Sequence, residues 1–302
     1  MRDCLHSYMK VGIVHFMAFP DISAGPELFN SIKRIAEDEF FGGIEISSAP
    51  DDSRADIAKL LETSKLVVGY GAQPILLAEK LDLNSLDLQH REAAVSRVKS
   101  AVDEAYLLGA SKLAVLSGPA PATDKREEAK KLLADSLVQI CEYAESKGSL
   151  GITLEVFDGD IDKKCLIGPT GDGVQVAAEV RKNYPSFGLM VDLSHLPLLK
   201  ESGDYALRTA KDCLVHIHIG NCLISDKSHP AYGDKHPPFG LAGSENDVDE
   251  LRLFLKALLY IGYIGEGKQN VVAFEVKPLS GESSEAVISN AKRTLMEAWA
   301  RL

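Results

Sequence analysis

The chain has 302 residues, a formal net charge of −11 at pH 7 and a hydrophobic share of 45%. Its length allows a large core and suits either two domains or one α/β barrel of roughly 250 residues. The acidic charge argues against a nucleic-acid partner, because phosphate binding needs a basic surface.

The five cysteines are odd in number and form no CxxC pair, which predicts reduced and mostly buried thiols: Cys4, Cys141, Cys165, Cys213 and Cys222. No apolar run approaches the ~18 residues of a membrane span. The opening stretch MRDCLHSYMK contains no apolar signal core. We therefore expect a cytoplasmic protein that acts on small molecules and has neither a membrane nor a nucleic-acid partner.

Eight short runs, each apolar or rich in β-branched residues, alternate along the chain with longer amphipathic segments. The short runs predict strands at residues 10–16, 42–47, 65–70, 112–118, 151–158, 187–195, 213–220 and 271–278. Runs that stay apolar throughout are typical of strands buried on both faces, as in a parallel sheet. Apolar residues spaced near the helical period predict helices at residues 26–38, 91–109, 125–148, 173–183, 205–211 and 248–261.

This alternation of strands and helices predicts an α/β fold, a single (β/α)₈ barrel. A doubly wound open sheet is the rival, but it would normally carry a glycine-rich turn after its first strand, and GIVHFMAFPD contains none. We find no linker, low-complexity tract or repeat. The sequence therefore predicts one domain over residues 1–302. The loop after strand 3 carries Ile75, Leu76 and Leu77, which we expect to be exposed.

Acids and imidazoles stand near the ends of four consecutive predicted strands, where a barrel places its active site. They are Glu155; Asp192 and His195; His216 and His218; and Glu275 with Lys277. Singly, such residues are more often helix caps, salt-bridge partners or core histidines. Together they indicate a shared cation, because an unpaired charge inside an apolar run is costly to bury. Three carboxylates and one histidine suit Mn²⁺, Mg²⁺ or Co²⁺ better than a thiolate-type zinc site, with Zn²⁺ as an alternative.

Two histidines two positions apart occur in LVHIHIGNC, and in a strand they point to the same face. His218 lies nearer the C-terminal rim, two residues before the GN turn. We therefore assign the metal to His218. His216 has either a supporting role or simply packs in the core.

These motifs resemble the xylose isomerase-like TIM-barrel superfamily, in its sugar phosphate isomerase/epimerase branch. FGGIEIS resembles the second strand with its G-x-E signature, and LEVFD, VDLSH, HIHIGN and FEVKP resemble strands 5 to 8 in order. ELRLFLKALLYIGYIGE is similar to the helix before strand 8. The resemblance covers nearly the whole chain and implies a divalent metal held by Glu155, Asp192, His218 and Glu275.

In family members that isomerise or epimerise ketoses, the metal chelates the substrate carbonyl and the neighbouring hydroxyl. The resemblance implies that Glu155 and Glu275 flank the substrate carbon and exchange its proton through a metal-stabilised enediolate, and that His195 contacts the substrate. This chemistry is sound, because a Lewis acid stabilises the developing oxyanion while a carboxylate takes the proton. We therefore expect an isomerase or epimerase of a small sugar or sugar derivative. Dimers and tetramers are frequent among relatives, so a homo-oligomer is expected as well.

The loop after strand 7 departs from the family pattern. Many relatives carry an arginine there that contacts the substrate, whereas residues 222–247 contain His229, Lys235 and His236 but no arginine. His195 with Asp234 and His236 is similar to the three ligands of one zinc ion in the AP endonucleases of this superfamily. We expect His195 and His236 to form hydrogen bonds with the substrate, and a second metal bound by His195, Asp234 and His236 is the alternative.

The remaining candidates and rival functions stay open. His15 at the end of strand 1 either lines the pocket or packs there, and Lys277 either binds a substrate oxyanion or pairs with a carboxylate. A lyase or hydratase acting on a keto-sugar would use the same site, and a non-catalytic sugar-binding barrel is a rival of another class. AP endonuclease-like DNA repair is disfavoured by the net charge. Its further histidines near strands 3 and 4 are also missing, since Gln73 and Ser117 stand there.

Overall fold

The computed structural model of the chain describes residues 4–302. Within them eight parallel strands form one sheet: β1 Lys10–Ile13, β2 Gly43–Ile46, β3 Val67–Gly71, β4 Lys112–Leu116, β5 Gly151–Glu155, β6 Gly188–Asp192, β7 Leu214–Gly220 and β8 Val271–Glu275. Their order is β1-β8-β7-β6-β5-β4-β3-β2. The two edge strands meet through the bridge between Val14 and Glu45 and through the amide of Gly42, which donates to the carbonyl of Val11 at 2.8 Å. The sheet is thus a nearly closed barrel.

Helices follow the strands around the outside: α1 His15–Ala18, α2 Gly25–Ala36, α3 Asp51–Ser64, α4 Gln73–Ala78, α5 Leu88–Leu107, α6 Arg126–Lys147, α7 Thr170–Val180, α8 Leu196–Leu199, α9 Gly203–Ala210, α10 Val248–Tyr260 and α11 Ser284–Ala300. The predicted (β/α)₈ barrel is confirmed. The sequence pattern did not predict α3, α11 or the short helices α1, α4 and α8. In α3 only Ile57 and Leu61 are buried, so its apolar stripe is too narrow to stand out.

Several strands end earlier than the sequence predicted, and the difference defines the rim of the barrel. β5, β6 and β8 end at Glu155, Asp192 and Glu275, each three residues before the predicted end. The apolar signal continues because the chain stays buried after it leaves the sheet, as at Val156 and Val276. Each of the three acids is therefore the last residue of its strand.

The segment after β3 also differs from expectation. Ile75 and Leu76 are buried, and only Leu77 is substantially exposed, at 40%. The expectation of exposure was therefore wrong for two of the three. The cause is α4, which begins directly after β3 and turns these two residues inward, whereas the sequence suggested an irregular loop. Among the described residues, no helix is both long and apolar enough to cross a membrane.

Candidate metal centre

The ends of four neighbouring strands bring together three carboxylates and one imidazole. Glu155, Asp192 and Glu275 end β5, β6 and β8, and His218 lies on β7 directly opposite Asp192 in the strand register. One ligand atom from each of the four lies within 4.8 Å of the others, and all four side chains are buried. Close approach of β7 to β8 needs a glycine at Gly220, where a Cβ would lie 2.4 Å from the carbonyl oxygen of Glu275.

The distances among these three carboxylates and the imidazole show whether the four side chains fit a cation. His218 Nδ1 lies 2.7 Å from Glu275 Oε2 and 3.7 Å from Glu155 Oε1. Glu155 Oε2 accepts a hydrogen bond of 2.8 Å from Gln73 Nε2, whereas Oε1 is buried without a hydrogen-bond partner in the described part of the chain. A buried carboxylate oxygen without a partner is costly. A divalent cation among these donors would supply the partner, so the residues fit a metal.

The charges in the group shift the pKa values of its members in opposite directions. Burial and the neighbouring Glu275 raise the pKa of Glu155 to about 8. Burial also raises the pKa of Asp192. Burial acts to raise the pKa of Glu275 as well, but His236 and His218 outweigh it and hold that pKa at about 2. The crowded carboxylates thus need positive charge beside them, from protons or from a cation.

A second polar group adjoins the first through Asp192. Asp234 Oδ1 accepts hydrogen bonds from His195 Nε2 at 3.1 Å and His236 Nε2 at 2.7 Å. His195 Nδ1 donates to the backbone carbonyl of Val156 at 2.9 Å. Burial acts against the charged imidazoles, but Asp234 and Asp192 raise the pKa of His195 well above its usual value. Ligand atoms of Asp192, His195 and His236 also lie within 4.8 Å of one another.

Ion pairs between two loops hold this second group over the barrel. Lys163, in the loop after β5, lies 3.3 Å from Asp234, and Lys235, in the loop after β7, lies 2.9 Å from Asp162. The amide of Asp234 also donates to Asp162. His236 has a left-handed φ of 51°, which is uncommon for a residue other than glycine and is often found at functional sites. The two loops therefore close above the candidate metal centre.

Comparisons with known proteins agree with this architecture. Residues 33–272 match the sequence model of the family described as xylose isomerase-like TIM barrel. The chain belongs to this family. A search of curated proteins finds no significant match.

Solved structures of similar fold include three with different reported activities or ligands. A D-psicose 3-epimerase with D-tagatose from Clostridium cellulolyticum H10 is 21% identical, with a TM-score of 0.64 over 97% of this chain and 96% of that one. An IolI protein with a bound zinc atom is 19% identical, with a TM-score of 0.71 over 97% and 99%. An AP endonuclease, family 2, from Brucella melitensis is 17% identical, with a TM-score of 0.65 over 95% and 98%. At these identities the similarity establishes the fold alone.

Two predicted substrate contacts of this xylose isomerase-like barrel lie apart from the four converging side chains. His15 Nε2 is hydrogen-bonded to Ser31 Oγ at 2.9 Å, and burial lowers the pKa of His15 to about 4. His15 lines a separate cleft with Phe16 and Phe19. Lys277 is partly exposed, and its side chain makes no hydrogen bond or ion pair within residues 4–302, although its amide donates to the carbonyl of His236 at 2.7 Å. Their substrate contacts remain predictions.

Sequence reasoning missed two residues that touch the centre. Gln73 is buried and donates to Glu155, yet in the sequence it stands out only because it replaces an expected histidine. Glu45 contacts His218 from β2 and was noted only within the G-x-E motif. A buried acid inside GGIEIS was the available signal, because a charge in an apolar strand needs a partner.

Proposed function

We propose that this xylose isomerase-like barrel is a divalent-metal-dependent isomerase or epimerase of a small sugar or sugar derivative. The observation that carries the proposal is the buried pair Glu155 and Glu275, which approach the same nitrogen of His218 at 3.7 and 2.7 Å. Two carboxylates close enough to serve one substrate carbon are what a two-base proton transfer requires. The D-psicose 3-epimerase of similar fold supports a ketose as the substrate class.

The metal would be held by Glu155, Asp192, His218 and Glu275, and when bound it supplies Lewis-acid stabilisation of negative charge on a substrate oxygen. One of the two glutamates takes the proton from the carbon beside the carbonyl, which leaves an enediolate. Return of a proton from the opposite face inverts that carbon, and return to the neighbouring carbon isomerises the sugar. The burial of all four side chains excludes water while the proton is held.

His195 and His236 bind the substrate in this proposal. Each points an Nε2–H toward Asp234, which fixes both rings at the edge of the centre. A sugar hydroxyl or oxyanion that displaces Asp234 would accept from either Nε2–H. Lys277 and His15 remain weaker candidates, because the structure brings neither side chain to the four converging ligands.

The first test replaces each glutamate without changing its shape. We expect Glu155→Gln and Glu275→Gln to slow exchange of solvent deuterium into a ketose roughly 10²–10⁴-fold, because each loses the group that accepts the proton. Exchange would be followed by proton NMR in D₂O with D-fructose, D-tagatose and D-psicose. Glu104→Gln is the matched control, since Glu104 is a buried glutamate that accepts from Tyr70 and contacts no member of the centre.

Elemental analysis of the purified protein tests the metal. We expect about one Mn, Mg, Co or Zn per chain, which is lost in His218→Ala. If the wild-type protein retains no divalent metal after incubation with any of these ions, the proposed function fails. Unchanged deuterium exchange in both glutamate variants would also contradict it.

The rival functions give different results in the same assays. A lyase or hydratase would release water or another group from a keto-sugar, which the NMR spectra would show as a new product. Two metals per chain, the second lost on Asp234→Asn, would assign His195, Asp234 and His236 to a metal and not to substrate. Cleavage of abasic DNA would support a repair enzyme, and sugar binding without any exchange would support a non-catalytic barrel.

The proposal also includes three broader features. We propose that residues 1–302 form one domain, that the protein works in the cytoplasm, and that it assembles as a dimer or tetramer. Free thiols at four buried cysteines support a reducing compartment. Light scattering of the purified protein would measure the assembly.

A further inference from the structure

The barrel interior holds a further group of buried polar side chains, Glu45, His216 and His218, which extends toward the N-terminal ends of the strands from the four proposed metal ligands. Glu45 lies on β2, and its carboxylate reaches across to β7, where it meets both His216 and His218. The two imidazole rings stand nearly perpendicular, at 81°, with centroids 5.2 Å apart. All three side chains are buried.

The hydrogen bonds fix which nitrogen of His218 faces the metal ligands. His218 Nε2 lies 3.0 Å from both oxygens of Glu45, and His216 Nε2 lies 2.7 Å from Oε1. A carboxylate only accepts hydrogen bonds, so both nitrogens donate. His218 Nε2 therefore keeps its proton toward Glu45. Nδ1 faces Glu155 and donates to Glu275 Oε2 at 2.7 Å, and a metal bound here would take the place of that proton.

We propose that Glu45 is a positioning residue of the metal centre, which fixes the tautomer and ring orientation of His218 so that Nδ1 is free to bind the metal. This inference rests on the proposed function, because it needs a metal at His218. A carboxylate that accepts from the outer nitrogen of a ligating histidine raises the basicity of that ligand and holds its ring. His216 braces Glu45 through a second hydrogen bond to Oε1. This gives the pair of histidines in LVHIHIGNC two distinct tasks.

The local structure around Glu45 is built to confine it. Gly69 lies opposite Glu45 in the register of β2 and β3, and a Cβ there would lie 2.8 Å from Glu45 Cγ. Only glycine leaves this space without displacing the carboxylate. Lys112, which is partly buried, lines one small cavity of about 40 Å³ together with Glu45 and donates to the carbonyl of Val215, so a cation stands close to the buried acid.

A different use of the same residues makes a different prediction. Ligand atoms of Glu45, His216 and His218 lie within 4.8 Å of one another, so they could themselves hold an ion. In that case the wild-type protein would bind one more metal than Glu45→Ala does. If Glu45 is instead a positioning residue, Glu45→Ala binds the same number of metal ions as the wild type, because the metal keeps all of its ligands. Its affinity for the metal is lower.

The test measures metal binding directly, without an activity assay. Titration calorimetry with Mn²⁺ gives the Kd and stoichiometry for the wild type, Glu45→Ala, Glu45→Gln and the control Thr153→Val. Thr153 lines the same cavity, and its hydroxyl makes no hydrogen bond in the described part of the chain. We expect Glu45→Ala to weaken Mn²⁺ binding about 10–100-fold, the usual cost of losing an outer hydrogen-bond partner. Glu45→Gln should weaken it less, because the amide oxygen still accepts from Nε2.

A second measurement follows the tautomer of His218 by ¹⁵N NMR of histidine side chains in the Zn²⁺-loaded protein. We expect protonated Nε2 in the wild type and in Thr153→Val, and a mixture of tautomers in Glu45→Ala. A Kd within threefold of wild type in Glu45→Ala would overturn the inference while leaving the proposed metal site intact. Loss of one equivalent of metal would make Glu45 a ligand and overturn it as well. Failure of the wild type to bind Mn²⁺, Mg²⁺, Co²⁺ or Zn²⁺ would overturn the proposed function and the inference together.

Discussion

Glu155 accepts a hydrogen bond at one carboxylate oxygen and has no partner at the other, and Gln73 is the donor to the first. Gln73 Nε2 donates to Glu155 Oε2 at 2.8 Å, and Gln73 Oε1 is buried without a partner in residues 4–302. Gly71 makes room for this amide, since a Cβ there would lie 3.1 Å from Gln73 Oε1 and 2.7 Å from the ring of Phe16. A substrate hydroxyl beside Glu155 would give Gln73 Oε1 its missing donor.

Gln73→Leu should therefore slow turnover with little effect on folding. Hydrogen bonds to charged groups contribute about 1.5–3 kcal/mol, so we expect kcat/KM for the ketose to fall roughly 10–100-fold. Asn84→Leu is the control, because Asn84 is a buried amide that donates to the carbonyl of Pro119 and not to the centre. The control should lower Tm and leave kcat/KM nearly unchanged. Equal kinetic losses in the two variants would assign Gln73 to general stability.

The four proposed ligands could be predicted residue by residue because each is a charged or ionisable group inside an apolar run. The prediction needed no knowledge of the helices and no exact strand ends. It needed only the position of each residue in the second half of a predicted strand, which holds for Glu155, Asp192, His218 and Glu275. Gln73 and Glu45 could not be assigned in the same way. Their partners lie on distant strands, and an uncharged amide at the start of a short helix has no distinctive pattern.

At the scale of secondary structure, the sequence placed the eight strands correctly but put the ends of β5, β6 and β8 three residues too late. A hydrophobic run in the sequence indicates that the chain is buried, not that it is paired in a sheet. At the C-terminal rim of this barrel the chain stays buried after its last hydrogen bond to a neighbouring strand. Phe157 is buried two residues after β5 ends, and Leu193 is buried directly after β6. Beyond the ends of β5, β6 and β8 the chain therefore stays buried at the rim although it has left the sheet.

The two covering loops predict a measurable link between an ion pair and access to the centre. Lys163 is the only lysine in contact with Asp234 among the described residues, and Asp234 in turn holds His195 and His236. Lys163→Met should open the loop more often. A partly buried pair worth about 1 kcal/mol corresponds to roughly fivefold faster exchange. Hydrogen exchange of peptides covering residues 229–240 would measure it.

The neighbouring lysine provides the control for that experiment. Lys164 is exposed and has the same size and charge, so Lys164→Met should leave exchange in residues 229–240 unchanged. Peptides from β5 and β6 should exchange at wild-type rates in both variants. Faster exchange in the strands as well would mean that Lys163 stabilises the whole barrel and does not act on the loop alone.

For the whole molecule, the centre links stability to pH. Burial acts to lower the pKa of His236, but Glu275 and Asp234 outweigh it and raise that pKa from 6.5 to about 9. Burial and Glu275 raise the pKa of Glu155 from 4.5 to about 8. Both groups bind protons more tightly in the folded protein than in the unfolded chain. Their contribution to the free energy of unfolding is therefore lost as pH rises. The pKa of Glu275 is lowered to about 2, so this group stabilises the folded protein above pH 4.5, and that stabilisation is lost as pH falls.

Protein treated with EDTA should therefore lose a few degrees of Tm between pH 6.5 and 9, and a bound cation should reverse the loss. The cation replaces the protons among the carboxylates, so metal binding becomes more favourable as pH rises. Differential scanning fluorimetry with EDTA or Mn²⁺ at pH 6 and 8.5 would show a larger Mn²⁺-induced rise in Tm at pH 8.5. His236→Gln should flatten the EDTA curve, because the glutamine cannot titrate. A Tm with EDTA that stays constant or rises from pH 6.5 to 9 would show that these buried groups do not control stability.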